Sequence, residues 1–237
     1  TDLDNGCFAT NSVEVIFTPD TESPVITVCA SEVNVSSDAG VCGTSDVELG
    51  MPTATDNCDT ELSLVNDAPE VFPLGQTIVT WTITDASNNS VQCEQIVNVT
   101  DSEAPVVEKM DDITVNNDAG VCGAIVNFGM IGATDNCELE SIEVTEGLTS
   151  GSQFPVGTTT VTYTVTDISG NTTTESFTVT VNDNEAPEIS CPANITIDTE
   201  TGVSFATVDF ENATATDNCE VTVEQTGGPV SGSQFEI

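Results

Sequence analysis

The side chains of this chain that could do chemistry are oxygens and sulfurs. Ala-Thr-Asp-Asn-Cys occurs three times, at residues 54–58, 133–137 and 215–219. A second acidic motif, Asp-x-Glu-x-Pro, stands at 20–24, 101–105 and 183–187. Carboxylates beside Asn amides suit hard cations that take several oxygen ligands, calcium foremost. The nine cysteines have no His and no Cys-x-x-Cys pair to make a zinc site. Disulfides in an oxidising, extracytoplasmic setting are the better reading. The same inventory excludes a His-dependent triad and a phosphate-binding Gly-rich loop. Two carboxylates can hydrolyse a glycoside, yet acids that recur once per repeat do not make an active site. The chain is read as non-enzymatic.

Charge narrows the partners further. The chain has 40 Asp and Glu against one Lys or Arg, a formal net charge of -39. Lys109 is that one base, so phosphate contacts to nucleic acid are excluded and anionic membranes are disfavoured. No apolar run is long enough to span a bilayer, so direct membrane insertion is not expected. Charged residues are only 17% of the chain and Val/Ile/Thr alternation recurs, so the acids belong to a folded surface rather than to disorder. The plainer reading of the acidity is solubility, with Asx turns at Asp-Asn and solvated linker acids.

The elements that must position these groups are short strands. The motif copies fall about eighty residues apart, the size of one small β-sandwich. Repeats are read at 20–100, 101–182 and 183–237, the last truncated, with 1–19 as the closing strand or strands of a preceding repeat. That closing strand is read at 12–17, and the chain is expected to be part of a longer one. Exchange of residues 8–18 between molecules is the weaker alternative.

Each repeat opens on Val25-Ile26-Thr27-Val28 and Val33-Asn34-Val35 or their counterparts. A turn follows at Ser37-Asp38-Ala39-Gly40, matched by Asn117-Asp118-Ala119-Gly120. Strands are expected over 124–128, 142–144, 78–83 and 159–165. Period two with regular turns gives two packed antiparallel sheets, an all-β fold. Trp81 and Tyr163 fall at matching mid-strand positions and are expected in the core.

Several of these stretches resemble the HYR (hyalin repeat) family of immunoglobulin-like modules. They are Asp-x-Glu-Ala-Pro, Ala-Thr-Asp-Asn-Cys, Phe-Pro-Val-Gly-Thr-Thr-Thr-Val-Thr-Tyr, Thr-Asp-x-Ser-Gly-Asn and Cys191-Pro192-Ala193-Asn194-Ile195. The resemblance covers essentially the whole chain. It implies tandem immunoglobulin-like sandwiches in a linear array, outside the cell or on its surface, in adhesion or matrix. Acidic arrays of this kind also look like the giant surface adhesins of gliding bacteria. Two departures stand out: Glu108-Lys109-Met110 where the family often has Cys-Pro, and Gly202-Val203-Ser204 where the other repeats have Gly-Val-Cys.

In such a sandwich, the incoming linker, the Asp-Asn loop and the loop before the last strand meet at one end. Asp20, Glu22, Asp56, Asn57 and Asp85 should therefore converge, and so should Asp101, Glu103, Asp135, Asn136 and Asp167. Asp183, Glu185 and Asp217 form the third set. Calcium is the expected ligand. Residues 181–187 are similar, by analogy only, to the calcium linker of cadherins.

The fold also places the first and last strands of a repeat side by side, which allows Cys29–Cys93. The middle repeat lacks both partners, with Met110 at one position and Thr172-Thr173-Thr174 near the other. Cys191 and Cys7 would then pair outside the sequence. For Gly-Val-Cys and Asp-Asn-Cys two pairings are open. One joins them within a repeat, Cys42–Cys58 and Cys122–Cys137, and leaves Cys219 alone. The other joins adjacent repeats, Cys42–Cys137 and Cys122–Cys219, with Cys58 pairing upstream; it is preferred because it leaves no orphan. The expected function is a stalk or filament segment of a large adhesin, stiffened by disulfides and calcium. Its partners would be neighbouring repeats, with surface glycan or protein bound through other domains. A module that binds glycan or protein through its own loops is the alternative.

Overall fold

The computed structural model describes residues 13–16, 18–199 and 201–236, all as strand, turn or irregular chain without helix. The chain divides into two compact units, residues 1–103 and 104–237.

The first unit runs β1 (Val25–Val28), β2 (Val33–Ser36), β3 (Gly43–Thr44), β4 (Thr53–Thr55), β5 (Ser63–Asn66), β6 (Phe72–Pro73), β7 (Gly75–Thr84) and β8 (Ser90–Thr100). A four-stranded sheet has the order β2-β8-β7-β5, and β1-β4 and β3-β6 form two-stranded ladders. β7 and β8 make a long hairpin in continuous register from Gly75↔Val99 to Thr84↔Ser90. β2 lies parallel to β8, Val33 opposite Val97. Of the strand expected at 12–17, residues 13–16 carry no ladder.

The second unit holds β9 (Val106–Val107), β10 (Ile113–Asn116), β11 (Gly123–Ile125), β12 (Ala133–Thr134), β13 (Leu139–Glu146), β14 (Gln153–Pro155), β15 (Gly157–Asp167) and β16 (Thr172–Asn182). These repeat the first plan, with a sheet β10-β16-β15-β13 and ladders β9-β12 and β11-β14. β17 (Glu188–Ser190), β18 (Phe205–Val208), β19 (Thr214–Thr216) and β20 (Ser233–Glu236) follow, paired β17-β19 and β18-β20.

The alternation in sequence becomes a two-faced sheet. On β15, Val161, Tyr163 and Val165 point into the core while the threonines between them are half-exposed. Threonine is β-branched, so it favours this extended, half-buried surface. Cross-strand hydroxyl pairs tie the outer face, among them Thr158 with Thr180 at 3.1 Å and Thr162 with Ser176 at 2.9 Å.

The strand expected at 124–128 stops at Ile125. Beyond it Phe128 leaves the edge: its N–H donates to Ser150 Oγ at 2.8 Å, and its ring packs edge-on against Phe177 at 5.1 Å. β11 also requires its first glycine, because a Cβ on Gly123 would meet the Phe154 carbonyl oxygen at 2.5 Å.

The two complete repeats fill matching cores differently. Trp81 is buried, and its indole N–H donates to Gln95 Oε1 at 2.9 Å. Gln95, only 1% exposed, donates in turn to the Ser31 carbonyl at 2.7 Å. A buried amide must find such partners. In the other repeat Tyr163 stacks on Phe177, with ring centroids 6.5 Å apart. Phe177 lies opposite Val161, as Gln95 lies opposite Val79. One core is thus pinned by a polar chain and the other by aromatic contact.

Trp81→Phe leaves Gln95 Oε1 without its donor. The expected loss is about 1–3 kcal/mol of stability, the cost of an unsatisfied buried acceptor. Urea unfolding followed by circular dichroism checks it; an unchanged midpoint would mean that the Gln95 bond contributes nothing.

Candidate metal centre and disulfide clamp

Each Ala-Thr-Asp-Asn-Cys segment leaves a short strand and turns at once. The turn is an Asx turn in all three copies. Asp56 Oδ1 accepts from Cys58 N at 3.0 Å, Asp135 Oδ1 from Cys137 N at 3.0 Å, and Asp217 Oδ1 from Cys219 N at 2.9 Å. The linker acids do the same two residues on: Glu22 N donates to Asp20 Oδ1, Glu103 N to Asp101 Oδ1 and Glu185 N to Asp183 Oδ1, each at 3.1 Å. One carboxylate oxygen thus sets the backbone, and the other is turned away from it.

In the first unit four carboxylates converge. Asp20, Asp56, Asp59 and Asp85 each place a carboxylate oxygen within 4.8 Å of the others. Asp20 Oδ2 and Asp56 Oδ2 are buried without a hydrogen-bond partner. Asp85, 5% exposed, is anchored by Asn89, whose backbone N–H and amide donate at 2.8 and 2.7 Å. Asn89 also donates to the Asp20 carbonyl at 3.3 Å, which ties linker to hairpin tip. The Asp56 carboxyl is held below its ordinary value by the N–H groups of Cys58 and Asp59, against the opposing push of burial. Ionised carboxylates aimed at one another, with no base beside them, fit a hard divalent cation.

One of the expected carboxylates lies outside this cluster and one aspartate was missed. Glu22 is exposed and not part of it, and Asn57, next to Asp56 in sequence, is exposed. Asp59 joins because the Asx turn carries it round: Asp59 N donates to Asp56 Oδ1 at 3.0 Å, and Asp59 Oδ2 accepts from Ala86 N at 3.0 Å. The other copies have Glu138 and Glu220 there. A motif-driven reading passes over a position that varies; an Asp-x-x-Asp spacing in one loop was the available signal.

The remaining expected ligands are divided. Asp101 and Glu103 lie in the first unit, where Ser37 Oγ donates to Asp101 at 3.3 Å and Glu103 Oε2 accepts from Gly40 N at 2.7 Å. Asp135, Asn136 and Asp167 lie in the second unit. Asp167 is fully buried, and its oxygens accept from Ser169 N, Asn171 N and the Asn171 amide at 2.8–2.9 Å. Burial pushes its carboxyl up, yet those donors hold it below its ordinary value. In the third set Asp183, Asp217 and Cys219 come together, but Cys219 is in a disulfide and offers no thiolate. Glu185 Oε1 accepts from Gly120 N at 2.8 Å instead of turning to the cluster.

The sulfurs sort cleanly. Cys29 and Cys93 are bridged, with Cα atoms 6.1 Å apart. Cys93 lies opposite Trp81, and Glu175 occupies the corresponding place opposite Tyr163, one residue beyond the threonines named from the sequence. Cys122 is bridged to Cys219, Cα 4.8 Å, across 97 residues of sequence. That excludes Cys122–Cys137, and Cys58 is free, so Cys42–Cys58 is excluded as well. The reason is topological: β11 and β12 run in different ladders. Cys42, in the first unit, and Cys137, in the second, are also disulfide-bonded. Cys191 is free and exposed, and Cys7 lies outside the described residues.

Around Cys122–Cys219 the contact is polar and local. Asn218 donates to the Val121 carbonyl at 3.1 Å and to Asp183 Oδ1 at 3.4 Å, and Asn184 N donates to Asn117 Oδ1 at 3.0 Å. With Glu185 on Gly120, one repeat's linker and Asp-Asn-Cys loop hold the preceding repeat's Gly-Val-Cys turn. Gly120 has φ +70°, a left-handed conformation that suits glycine.

Tandem all-β repeats with disulfides and acidic linkers define a class of extracellular repeat protein. The HYR domain family matches at residues 19–99, 100–181 and 182–237, and the chain belongs to it. Hyalin of the sea urchin Lytechinus variegatus is 35% identical over 229 residues, 92% of this chain and 42% of hyalin. The serine-rich adhesin for platelets of Staphylococcus aureus (strain MRSA252) is 27% identical over 71% of this chain and 14% of the adhesin. The chain thus spans less than half the length of either relative. Protocadherin gamma B2 cadherin domains 3–6 overlay with a TM-score of 0.39 at 16% identity, covering 68% of this chain and 53% of that one. The protein is an extracellular or cell-surface repeat protein. The likeness to adhesins of gliding bacteria draws no support from these relatives.

The Gly-Val-Cys turn has its own charge dependence. Asp38 accepts from Ser45 N at 3.1 Å and from Thr44 Oγ1 at 2.9 Å, which hold its carboxyl below the ordinary 3.8. A depressed folded value contributes stability above 3.8 that is lost as pH falls through the lower, folded value. Asp38→Asn should therefore destabilise at neutral pH, with the gap to the parent closing on acidification below 3.8. Denaturant midpoints at neutral pH and at about pH 3 test it; a pH-independent gap would show that the charge is not what Asp38 contributes.

Proposed function

We propose that these repeats are a load-bearing stalk segment of a large adhesin, stiffened at repeat junctions by disulfides and calcium. The observation that carries the reading is Cys122–Cys219, which joins two successive repeats covalently. A bridge between modules adds little to the folding of either one; it resists their separation. Burial of Trp81 and Tyr163, each 5% exposed, also supports a stalk over a glycan-binding surface, which favours exposed aromatics. Adhesion to glycan or protein would then fall to other parts of the full protein.

Calcium is the cation proposed for Asp20, Asp56, Asp59 and Asp85. It would neutralise carboxylates that otherwise repel, and hold linker, loop and hairpin tip together. Low-dose images of the intact protein should show a thin filament with a repeat period; compact particles would overturn the stalk.

Calcium added to chelator-treated chain should raise its melting temperature, by a stabilisation of about 2.7 kcal/mol at a hundred times the dissociation constant. Asp20→Asn with Asp85→Asn should abolish most of the rise. No shift at millimolar calcium would sink the calcium reading and leave the disulfide clamp standing.

A further inference from the structure

At the junction inside the second unit three groups hold one turn. Glu185 accepts from Gly120 N, Asn218 donates to the Val121 carbonyl, and Cys219 bonds Cys122. The first unit has the same three groups on the same scaffold. Glu22, Asn57 and Cys58 follow Asp20 and Asp56 as Glu185, Asn218 and Cys219 follow Asp183 and Asp217. The two Asx turns that aim them agree within 0.1 Å, at 3.1 and 3.0 Å against 3.1 and 2.9 Å. The difference is occupancy. Asn218 and Cys219 are half-buried against the turn they hold, whereas Glu22, Asn57 and Cys58 are exposed and Cys58 is a free thiol.

We propose that Glu22, Asn57 and Cys58 form a docking site for the Gly-Val-Cys turn of another HYR repeat, closed by a disulfide from Cys58. Glycine N–H meets the Glu22 carboxylate, the valine carbonyl meets the Asn57 amide, and the cysteine sulfur meets Cys58. A second folded copy of this chain does not supply the partner, because both of its Gly-Val-Cys sulfurs, Cys42 and Cys122, are already bonded. The third repeat presents the same backbone with a hydroxyl instead: Gly202-Val203-Ser204, with Gly202 at φ +92° beside +73° and +70° in Gly40 and Gly120. The partner is therefore a further repeat with an unbonded Gly-Val-Cys turn. Bond formation takes two electrons from the two thiols. A disulfide of the oxidised-glutathione type accepts them: one thiolate displaces glutathione from it, and the other thiolate then displaces the second glutathione. The site does not depend on a bound cation.

The full chain supplies its own test. Ser204→Cys gives the third repeat an unbonded Gly-Val-Cys turn, and Cys191→Ser removes the other thiol that is free among the described residues. In a glutathione buffer with chelator, this double variant should form disulfide-linked dimers and longer species joined from Cys58 to the introduced thiol. It should do so about tenfold faster than a control carrying Thr149→Cys and Cys191→Ser, a preference about one net hydrogen bond can confer. Adding Asn57→Ala should bring the rate down to the control with reactivity of Cys58 toward a small thiol reagent unchanged, and Glu22→Gln should also lower it even though loss of that neighbouring charge makes Cys58 more reactive toward the small reagent. Equal rates for both introduced thiols, or no effect of the Asn57 and Glu22 substitutions, would overturn the proposal.

Discussion

The hydrogen bond from the cysteine N–H to the aspartate two residues before it is the interaction on which the rest depends. It occurs in every copy of Asp-Asn-Cys, at 2.9–3.0 Å. It uses one carboxylate oxygen to fix a turn, and by doing so decides two other directions. The second oxygens of Asp56 and Asp135 are left buried without a hydrogen-bond donor, and the Cys219 sulfur is bonded to Cys122 of the repeat before it. The proposed metal ligation and the cross-linking both start from one local bond. An alanine at Asp56, Asp135 or Asp217 would remove the turn that orients both groups.

Charge explains why the junction is the sensitive place. With 40 acids and one base, ion pairing is not available to offset repulsion across most of the surface. Exposed carboxylates spread over strands are screened by water and salt. Those drawn together by a turn are not, and four of them share a small volume in the first unit. Backbone N–H groups answer part of this field, at Asp56, Asp59 and Asp85. The oxygens they leave over, Asp20 Oδ2 and Asp56 Oδ2, have no protein donor. Such a centre gains from a cation more than the rest of the surface does.

The fold was legible because its signal is periodic. Alternation of Val, Tyr and Thr along 157–167 puts Tyr163 inside, and nothing in the tertiary structure competes with it. Edges were less legible. The ladder at β11 ends at Ile125, and past Val126 a serine hydroxyl takes Phe128, a contact 22 residues away that no local pattern announces. The site divides the same way. Asp56 and Asp20 were readable as motif members. Asp59 was not, since its place is made by the turn rather than the motif. Glu103 and Glu185 were read as cation ligands by proximity, but each spends an oxygen on a turn glycine, Gly40 or Gly120. A left-handed glycine presents its N–H outward, and a linker carboxylate within reach accepts from it in competition with any ion.

That last competition separates two kinds of acid in one linker. The aspartate of Asp-x-Glu bonds the backbone of its own linker, and the same oxygen accepts from a side chain of an adjoining loop, Ser37 for Asp101 and Asn218 for Asp183, so its role is to fix the linker against that loop. The glutamate, two residues on and one methylene longer, reaches the turn of the repeat before it, so its role is to set how that turn meets the linker. Shortening the glutamate to aspartate would keep the charge and lose the contact, and lengthening the aspartate would keep the charge and lose the Asx turn. The motif therefore specifies side-chain length as strictly as charge, and an acidic linker of the same net charge but shuffled order would not build this junction.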